Sequence, residues 1–126
     1  MRVGIAHHLG WAVAVIASAE HQVVDRRRIE LVDADLSAAP IHYDRGRSSD
    51  SEVVSAIAAV RASIERLARV AFDDLPTGIT SISLRTWPPD FPTDITVLRQ
   101  SPWEARADAI MYRQVLAATV VAARSG

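Results

Sequence analysis

The first 32 residues of the sequence follow the period of two that is typical of β-strands. Residues 2–6 form a short run of this kind, and residues 11–17 are apolar on both alternating faces, as in a strand inside a sheet. Residues 23–32 alternate between apolar and charged positions, so one face is predicted to be buried. The apolar face carries Val23, Ile29 and Leu31, and the charged face carries Arg26, Arg28 and Glu30. Three such segments with short connections predict an antiparallel β-meander.

A long helix is the next predicted element. Ser49 and Glu52 have the spacing of a capping box, in which each side chain accepts a hydrogen bond from the other residue's backbone N–H. Apolar residues then recur at steps of four and three, which places them on one helical face, and Pro76 with Gly78 marks the end. The predicted apolar face carries Val53, Ile57, Val60, Ile64, Leu67 and Ala71, with Val70 widening it.

Two segments follow neither period. Residues 33–50 contain proline, glycine and several serines, and they predict a mobile surface loop that includes His42, Tyr43 and Asp44. Residues 87–92 read Trp-Pro-Pro-Asp-Phe-Pro and predict a stiff aromatic loop, because proline fixes φ and lacks a backbone N–H. This loop is typical of an interaction surface and equally of packing over a sheet edge.

The remaining segments predict further strands and a second helix. Residues 79–85 are rich in β-branched side chains, and residues 95–99 predict another short strand. Ser101, Pro102 and Glu104 fit a second capping box with proline at the first helical position, so a helix is predicted from there to near Arg124. The whole chain, residues 1–126, is then a single α/β domain with the order β-β-β-α-β-(β)-α.

The second half of the last helix, residues 115–123, is apolar nearly all round. Such a segment is buried on several sides, either in the core of its own domain or against a second copy of the chain. The pattern favours a homodimer through the C-terminal helix.

The composition bounds the class of protein. A chain of 126 residues with 49% hydrophobic and 23% charged residues is typical of one globular domain that folds without a metal or a disulfide. The formal net charge of −1 argues against a dedicated nucleic-acid-binding protein. Because the sequence has no cysteine and no lysine, thiol nucleophiles, cysteine zinc sites, Schiff-base chemistry and the P-loop lysine are excluded. No serine lies in a Gly-x-Ser-x-Gly elbow.

The sequence also carries expectations about source and location. All 14 basic residues are arginine, and alanine and valine are abundant, which favours a GC-rich bacterial genome such as an actinobacterial one. A histidine pair interrupts the apolar stretch near the N-terminus, which argues against a secretory signal peptide. The apolar run of residues 11–19 is far shorter than the roughly 20 residues of a transmembrane helix. We therefore expect a cytoplasmic protein with no membrane partner.

Residues 3–13 combine an apolar-Gly-Ile strand, a glycine-bearing turn and the start of a second apolar strand. Together with the order of elements, this segment resembles the opening of the ribonuclease H-like fold, which nucleases, Holliday-junction resolvases and actin-like ATPases share. The resemblance covers the order of elements over most of the chain and, in motif, these residues. It implies a three-stranded antiparallel meander extended by one or more parallel strands, with helices packed on the sheet.

The sequence departs from that family at the catalytic acid, which should stand at Ala6. In the active nucleases of the family, carboxylates on the first strand, near the fourth strand and on the last helix bind two Mg²⁺ ions. Here the acids that match lie on the last helix alone, at Glu104 and Asp108. The resemblance therefore implies a degenerate member, and we predict no catalytic residue, no metal ligand and no cofactor.

The ends of the first and fourth strands and the start of the last helix meet at one rim in such a fold. This rim is the predicted binding site for a small polar ligand or a peptide, and nucleic acid is not expected there. Simpler interpretations remain open: Glu104 as a capping-box residue, Asp108 as a solvated charge, and one histidine packed on Trp11. The predicted site consists of His7, His8, Arg85, Trp87, Glu104 and Asp108.

Two functions follow from this rim. The first is a non-catalytic module that binds a ligand or a partner. The alternative is a divergent metal-dependent nuclease or phosphodiesterase that holds its metal with His7, His8, Glu104 and Asp108.

Overall fold

The computed structural model describes residues 1–87 and 90–125, which form an α/β arrangement with a four-stranded mixed sheet. The α/β class predicted from the sequence is confirmed. The strands are β1 (Arg2–His7), β2 (Trp11–Ala17), β3 (Val23–Glu30) and β4 (Ser81–Leu84), and the helices are α1 (Asp50–Asp73), α2 (Ile95–Leu98) and α3 (Glu104–Ser125).

The sheet has the strand order β3-β2-β1-β4. Strands β1, β2 and β3 pair antiparallel, which confirms the predicted meander. Strand β4 pairs parallel to β1, with Val3 opposite Ile82 and Ile5 opposite Leu84. Because parallel strands run in the same direction, the C-terminal ends of β1 and β4 lie side by side at one edge of the sheet.

Helices α1 and α3 pack against each other and against the same face of the sheet. The alternation of β1 and β2 sends one set of side chains into this core and the other set to the opposite face, where Ala6 is exposed. The largest fully buried side chains of the core are Tyr112, Ile16, Leu31, Ile64, Leu116, Val3, Val53 and Val60.

Two predictions of burial are wrong. Val23 is 57% exposed, because a register shift between Ile16 and Ala17 removes the start of β3 from the alternation that holds farther along the strand. Val70 is 65% exposed, because the last turns of α1 bury Ala68 and Phe72 instead.

The capping box of α1 is confirmed. The Ser49 hydroxyl accepts a hydrogen bond from the Glu52 N–H, and the Glu52 carboxylate accepts one from the Ser49 N–H. We expect Ser49→Ala to lower the free energy of unfolding by about 1 kcal/mol, because an orphan N–H of the first turn loses its acceptor. Urea denaturation measures this, with the exposed mid-helix Ser55→Ala as the control. Equal destabilisation by both variants contradicts the assignment.

The predicted short strand at residues 95–99 is wrong, since Ile95–Leu98 is the helix α2. The Asp94 carboxylate accepts hydrogen bonds from the N–H groups of Thr96 and Val97 at 2.9 and 3.3 Å. Such a cap satisfies the first N–H groups of a helical turn, so these residues need no strand partner. The described order of elements is therefore β-β-β-α-β-α-α.

The second predicted capping box is also wrong. Helix α3 begins at Glu104, whose N–H donates to the Gln100 carbonyl oxygen, and the Glu104 carboxylate binds a residue of another segment, as described below. The prediction for residues 87–92 lies partly outside the described residues, at Pro88 and Pro89.

The segment predicted to be a mobile surface loop is attached to the core. Ala39, Pro40 and Ile41 are buried, and the Tyr112 hydroxyl of α3 donates a hydrogen bond to the Ala38 carbonyl oxygen at 2.6 Å.

The apolar second half of α3 is buried on one side alone, since Val115, Leu116 and Val120 are buried and Ala118 is exposed. No helix among the described residues is long and apolar enough to cross a membrane.

Candidate functional site

Helix α3 presents two polar stripes beside its apolar one. Glu104, Asp108 and Tyr112 follow each other at steps of four, so they lie on one face of the helix. Arg106, Ala109 and Arg113 lie at steps of three and four on a neighbouring face. We call the first set the acidic stripe and the second set the basic stripe.

The acidic stripe holds the segment that precedes α1. Asp108 is 2% exposed, and its two carboxylate oxygens accept hydrogen bonds from the backbone N–H groups of Ile41 and His42 at 3.0 and 2.9 Å. Burial raises the pKa of Asp108 above its usual value, while these two hydrogen bonds act in the opposite direction. Both oxygens are occupied by structural contacts, so Asp108 is a positioning group for this segment.

Glu104 lies one turn earlier on the acidic stripe. Its carboxylate is 2.6 Å from Nδ1 of His42, and both side chains are partly exposed. A small polar cavity of about 390 Å³ lies beside this pair and is also lined by Arg45 and Arg99. Arg99 in this cavity is already paired with Asp44 and Asp50.

The basic stripe lies against the edge where β1 and β4 end. The Arg113 Nε–H of α3 donates a hydrogen bond to the Arg85 carbonyl oxygen, just beyond β4. His7, the last residue of β1, is 4% exposed, and its Nδ1 has no hydrogen-bond partner among the described residues. The basic stripe and the two parallel strands therefore enclose a buried imidazole.

The electrostatic surroundings of His7 favour its neutral form. Burial lowers the pKa of His7 below 6.5, and the positive charges of Arg85 and Arg113 lower it further, together with a smaller effect of His8. A backbone hydrogen bond at Ala109 acts in the opposite direction. The net shift is downward, so the ring is uncharged at neutral pH.

This shift gives stability a pH dependence. The unfolded chain binds a proton on His7 at a higher pH than the folded chain, so the contribution to stability is complete above about pH 6.5 and is lost as the pH falls from there through the lower pKa of the folded protein. We expect the free energy of unfolding to decrease below pH 6.5 less steeply in His7→Gln than in the unmodified protein. Urea denaturation between pH 5 and 8 measures both slopes, and identical slopes contradict the burial of a neutral His7.

Trp87 extends the same edge beyond Arg85. Its indole Nε1–H is buried and has no partner among the described residues. The Arg106 guanidinium of the basic stripe lies over the indole ring, 5.2 Å from its centroid, in a cation–π contact. Trp87 is therefore held by the helix that also covers His7.

His8 belongs to a different cluster. Its ring stacks on Trp11, with the centroids 4.2 Å apart and an angle of 18° between the planes. The Arg28 guanidinium lies 4.2 Å from the Trp11 ring centroid. This agrees with the simpler interpretation of the histidine pair, in which one histidine packs on Trp11.

The structure thus divides the six predicted residues. His7, Arg85 and Trp87 lie along the basic stripe, Glu104 and Asp108 lie on the acidic stripe, and His8 lies at the β1–β2 turn. Sequence reasoning missed Arg106 and Arg113 at the first cluster and His42 at the second. The spacing of Arg106 and Arg113, seven residues apart on a helix, was a signal that they share a face.

The geometry does not gather the residues of the predicted metal site. No group of three or more histidine, aspartate or glutamate side chains within the described part of the chain is arranged to hold a metal ion. The Asp108 carboxylate and one Glu104 oxygen already bind the segment that precedes α1, and His8 lies apart from them, stacked on Trp11.

In comparisons with known proteins, no family model, no curated protein and no solved structure matches this chain.

Proposed function

We propose that the protein is a non-catalytic module that binds a small polar ligand at the edge formed by the ends of β1 and β4 and the basic stripe of α3. The observation that carries the proposal is the pair of buried ring nitrogens, His7 Nδ1 and Trp87 Nε1, that lack partners among the described residues. Buried polar groups are nearly always hydrogen-bonded in folded proteins, so two unpartnered ring nitrogens at one edge mark it as the candidate place for a polar ligand.

A ribonuclease H-like fold is part of this proposal. It is supported by the antiparallel meander β1–β3 and by the parallel addition of β4 next to β1. Ala6 in β1 supplies no carboxylate at the position where the active nucleases of that fold carry their first acid. A member of this kind keeps the framework and a polar edge without the chemistry of hydrolysis.

The metal-dependent phosphodiesterase remains the weaker proposal. It requires His7, His8, Glu104 and Asp108 to approach a common ion, and the contacts of these residues lie in three different places. The observations favour binding over hydrolysis for this reason.

A homodimer through α3 is a separate proposal. It is supported by a groove of about 580 Å³ between α1 and α3, lined by small residues that allow close helix approach. Arg61 and Glu65 on α1 line it as well, so a two-fold dimer across the groove would place one positive and one negative side chain from each copy at the interface. Light scattering tests this, with Ala118→Glu expected to give a monomer and Asp35→Ala to leave the dimer unchanged. A monomeric unmodified protein contradicts it.

The binding proposal is tested by nuclear magnetic resonance. The three tryptophans give three indole N–H signals, and Trp87→Phe identifies the one that belongs to Trp87. We expect mixtures of amino acids, hydroxy acids and sugar phosphates to shift the Trp87 signal and to leave that of the half-exposed Trp103 unchanged. The absence of any shift at Trp87 across all mixtures contradicts the proposal.

A further inference from the structure

Three arginines lie together at this edge: Arg106 and Arg113 of the basic stripe, and Arg85 just beyond β4. Arg27, Arg28, Arg66 and Arg99 each lie within 4.0 Å of a carboxylate. No such ion pair is formed by Arg85, Arg106 or Arg113 with any residue that the structure describes. Three positive charges thus lie along one edge of the sheet without a neutralising group.

The same edge also contains buried polar atoms that have no hydrogen-bond partner among the described residues. His7 is 4% exposed, and its Nδ1 has no hydrogen-bond partner among the described residues. Trp87 adds a buried N–H donor, and its ring is held by Arg106. Unpaired guanidinium groups favour an anion as the ligand over a cation or a neutral molecule.

We infer that this edge binds an oxyanion, and specifically the dianionic head group of a phosphate monoester, held by Arg85, Arg106 and Arg113 beside Trp87. The inference rests on the proposed function and names the class of ligand for the same site. The guanidinium group has a planar set of donors that matches phosphate oxygens. Arg113 uses its Nε–H on the Arg85 carbonyl oxygen, so its two terminal nitrogens remain to bind the ligand.

The number of arginines favours phosphate over carboxylate. A carboxylate offers one charge and two oxygens in a plane, whereas a phosphate monoester offers two charges and three oxygens arranged around phosphorus. The three guanidinium groups come from two parts of the chain, the residue after β4 and helix α3, and their three positive charges match a dianion better than a monoanion. A bound dianion also offsets the repulsion that Arg85 and Arg113 impose on a proton at His7.

Calorimetric titration at constant ionic strength tests this inference. The probes are inorganic phosphate, glucose 1-phosphate, acetate, neutral glucose and a single-stranded oligonucleotide, and the Trp87 indole signal reports whether each binds at the site. We expect inorganic phosphate and glucose 1-phosphate to bind there. Acetate and glucose are expected to bind at least about tenfold more weakly, because each lost charge-assisted hydrogen bond weakens binding by roughly that factor.

Variants locate the site. Arg113→Gln and Arg85→Gln are each expected to weaken glucose 1-phosphate binding about tenfold or more. Arg69→Gln, an exposed residue of α1, removes the same charge elsewhere and is expected to leave binding unchanged. Because Arg113 also contacts the backbone, the exposed Arg85 provides the variant that leaves that contact intact.

The outcomes separate this inference from the proposed function. If glucose or acetate shifts the Trp87 signal as effectively as the phosphates, the phosphate inference is overturned and the binding module stands. Preference for the oligonucleotide, or equal weakening by Arg69→Gln, also overturns it. If no probe and no mixture shifts Trp87, both fail.

Discussion

Replacing Tyr112 with alanine is expected to lower the free energy of unfolding by about 4 kcal/mol. Tyr112 is the largest of the fully buried side chains, and it packs among core residues from the sheet and both long helices. Its removal leaves a cavity that the surrounding strands and helices fill only in part. Urea denaturation monitored by circular dichroism measures the change.

The hydroxyl group of Tyr112 makes a smaller, separable contribution. Tyr112→Phe keeps the ring and loses the hydrogen bond to the Ala38 carbonyl oxygen, so we expect a loss of about 1 kcal/mol. Burial raises the pKa of Tyr112, so the neutral hydroxyl persists throughout the working pH range and the effect does not depend on pH. Equal losses in the two variants contradict the assigned position of the ring in the core.

Asp108→Ala is expected to lower the free energy of unfolding by about 3 kcal/mol. The variant leaves two backbone N–H groups, those of Ile41 and His42, without their acceptor in a partly or fully buried setting, at a cost of about 1–3 kcal/mol each. The raised pKa of Asp108 reflects the cost of burying its charge, and removing that cost offsets part of the loss. Urea denaturation at pH 7 measures the sum.

The matched control is Asp35→Ala, which removes an exposed carboxylate from the same segment. We expect it to change stability by less than about 0.5 kcal/mol. Asp108→Asn keeps one acceptor oxygen and is expected to fall between the two. If Asp108→Ala is as stable as the control, the acidic stripe does not hold the segment that precedes α1.

The parts of the fold that the sequence predicted are those with local causes. The alternation of residues 2–32 and the pairing of Ser49 with Glu52 involve neighbours in the chain, so pattern and spacing are enough to identify them. Helix α2 was missed because its four residues are too few for a period, and the cap that forms it comes from Asp94, outside the predicted strand. Val23 was misplaced because a strand irregularity has no signature in the alternation itself.

The candidate site was predicted in part for a related reason. The resemblance to a known fold implied a parallel strand beside β1, so His7, Arg85 and the start of the last helix were expected at one edge. The rotation of α3 about its axis was not predictable, because it depends on how its apolar stripe packs on α1 and the sheet. That rotation turns Asp108 towards Ile41 and brings Arg113 to the end of β4.

Titration of the His7 imidazole by nuclear magnetic resonance tests the central claim, that the edge beside His7 binds an anion, most directly. Without ligand, the His7 pKa is expected below 6.5, because the ring is buried and lies near the positive charges of Arg85 and Arg113. With saturating glucose 1-phosphate it is expected to rise, since a negative charge beside the ring favours the protonated form. A His7 pKa that stays the same with and without the phosphate contradicts the account.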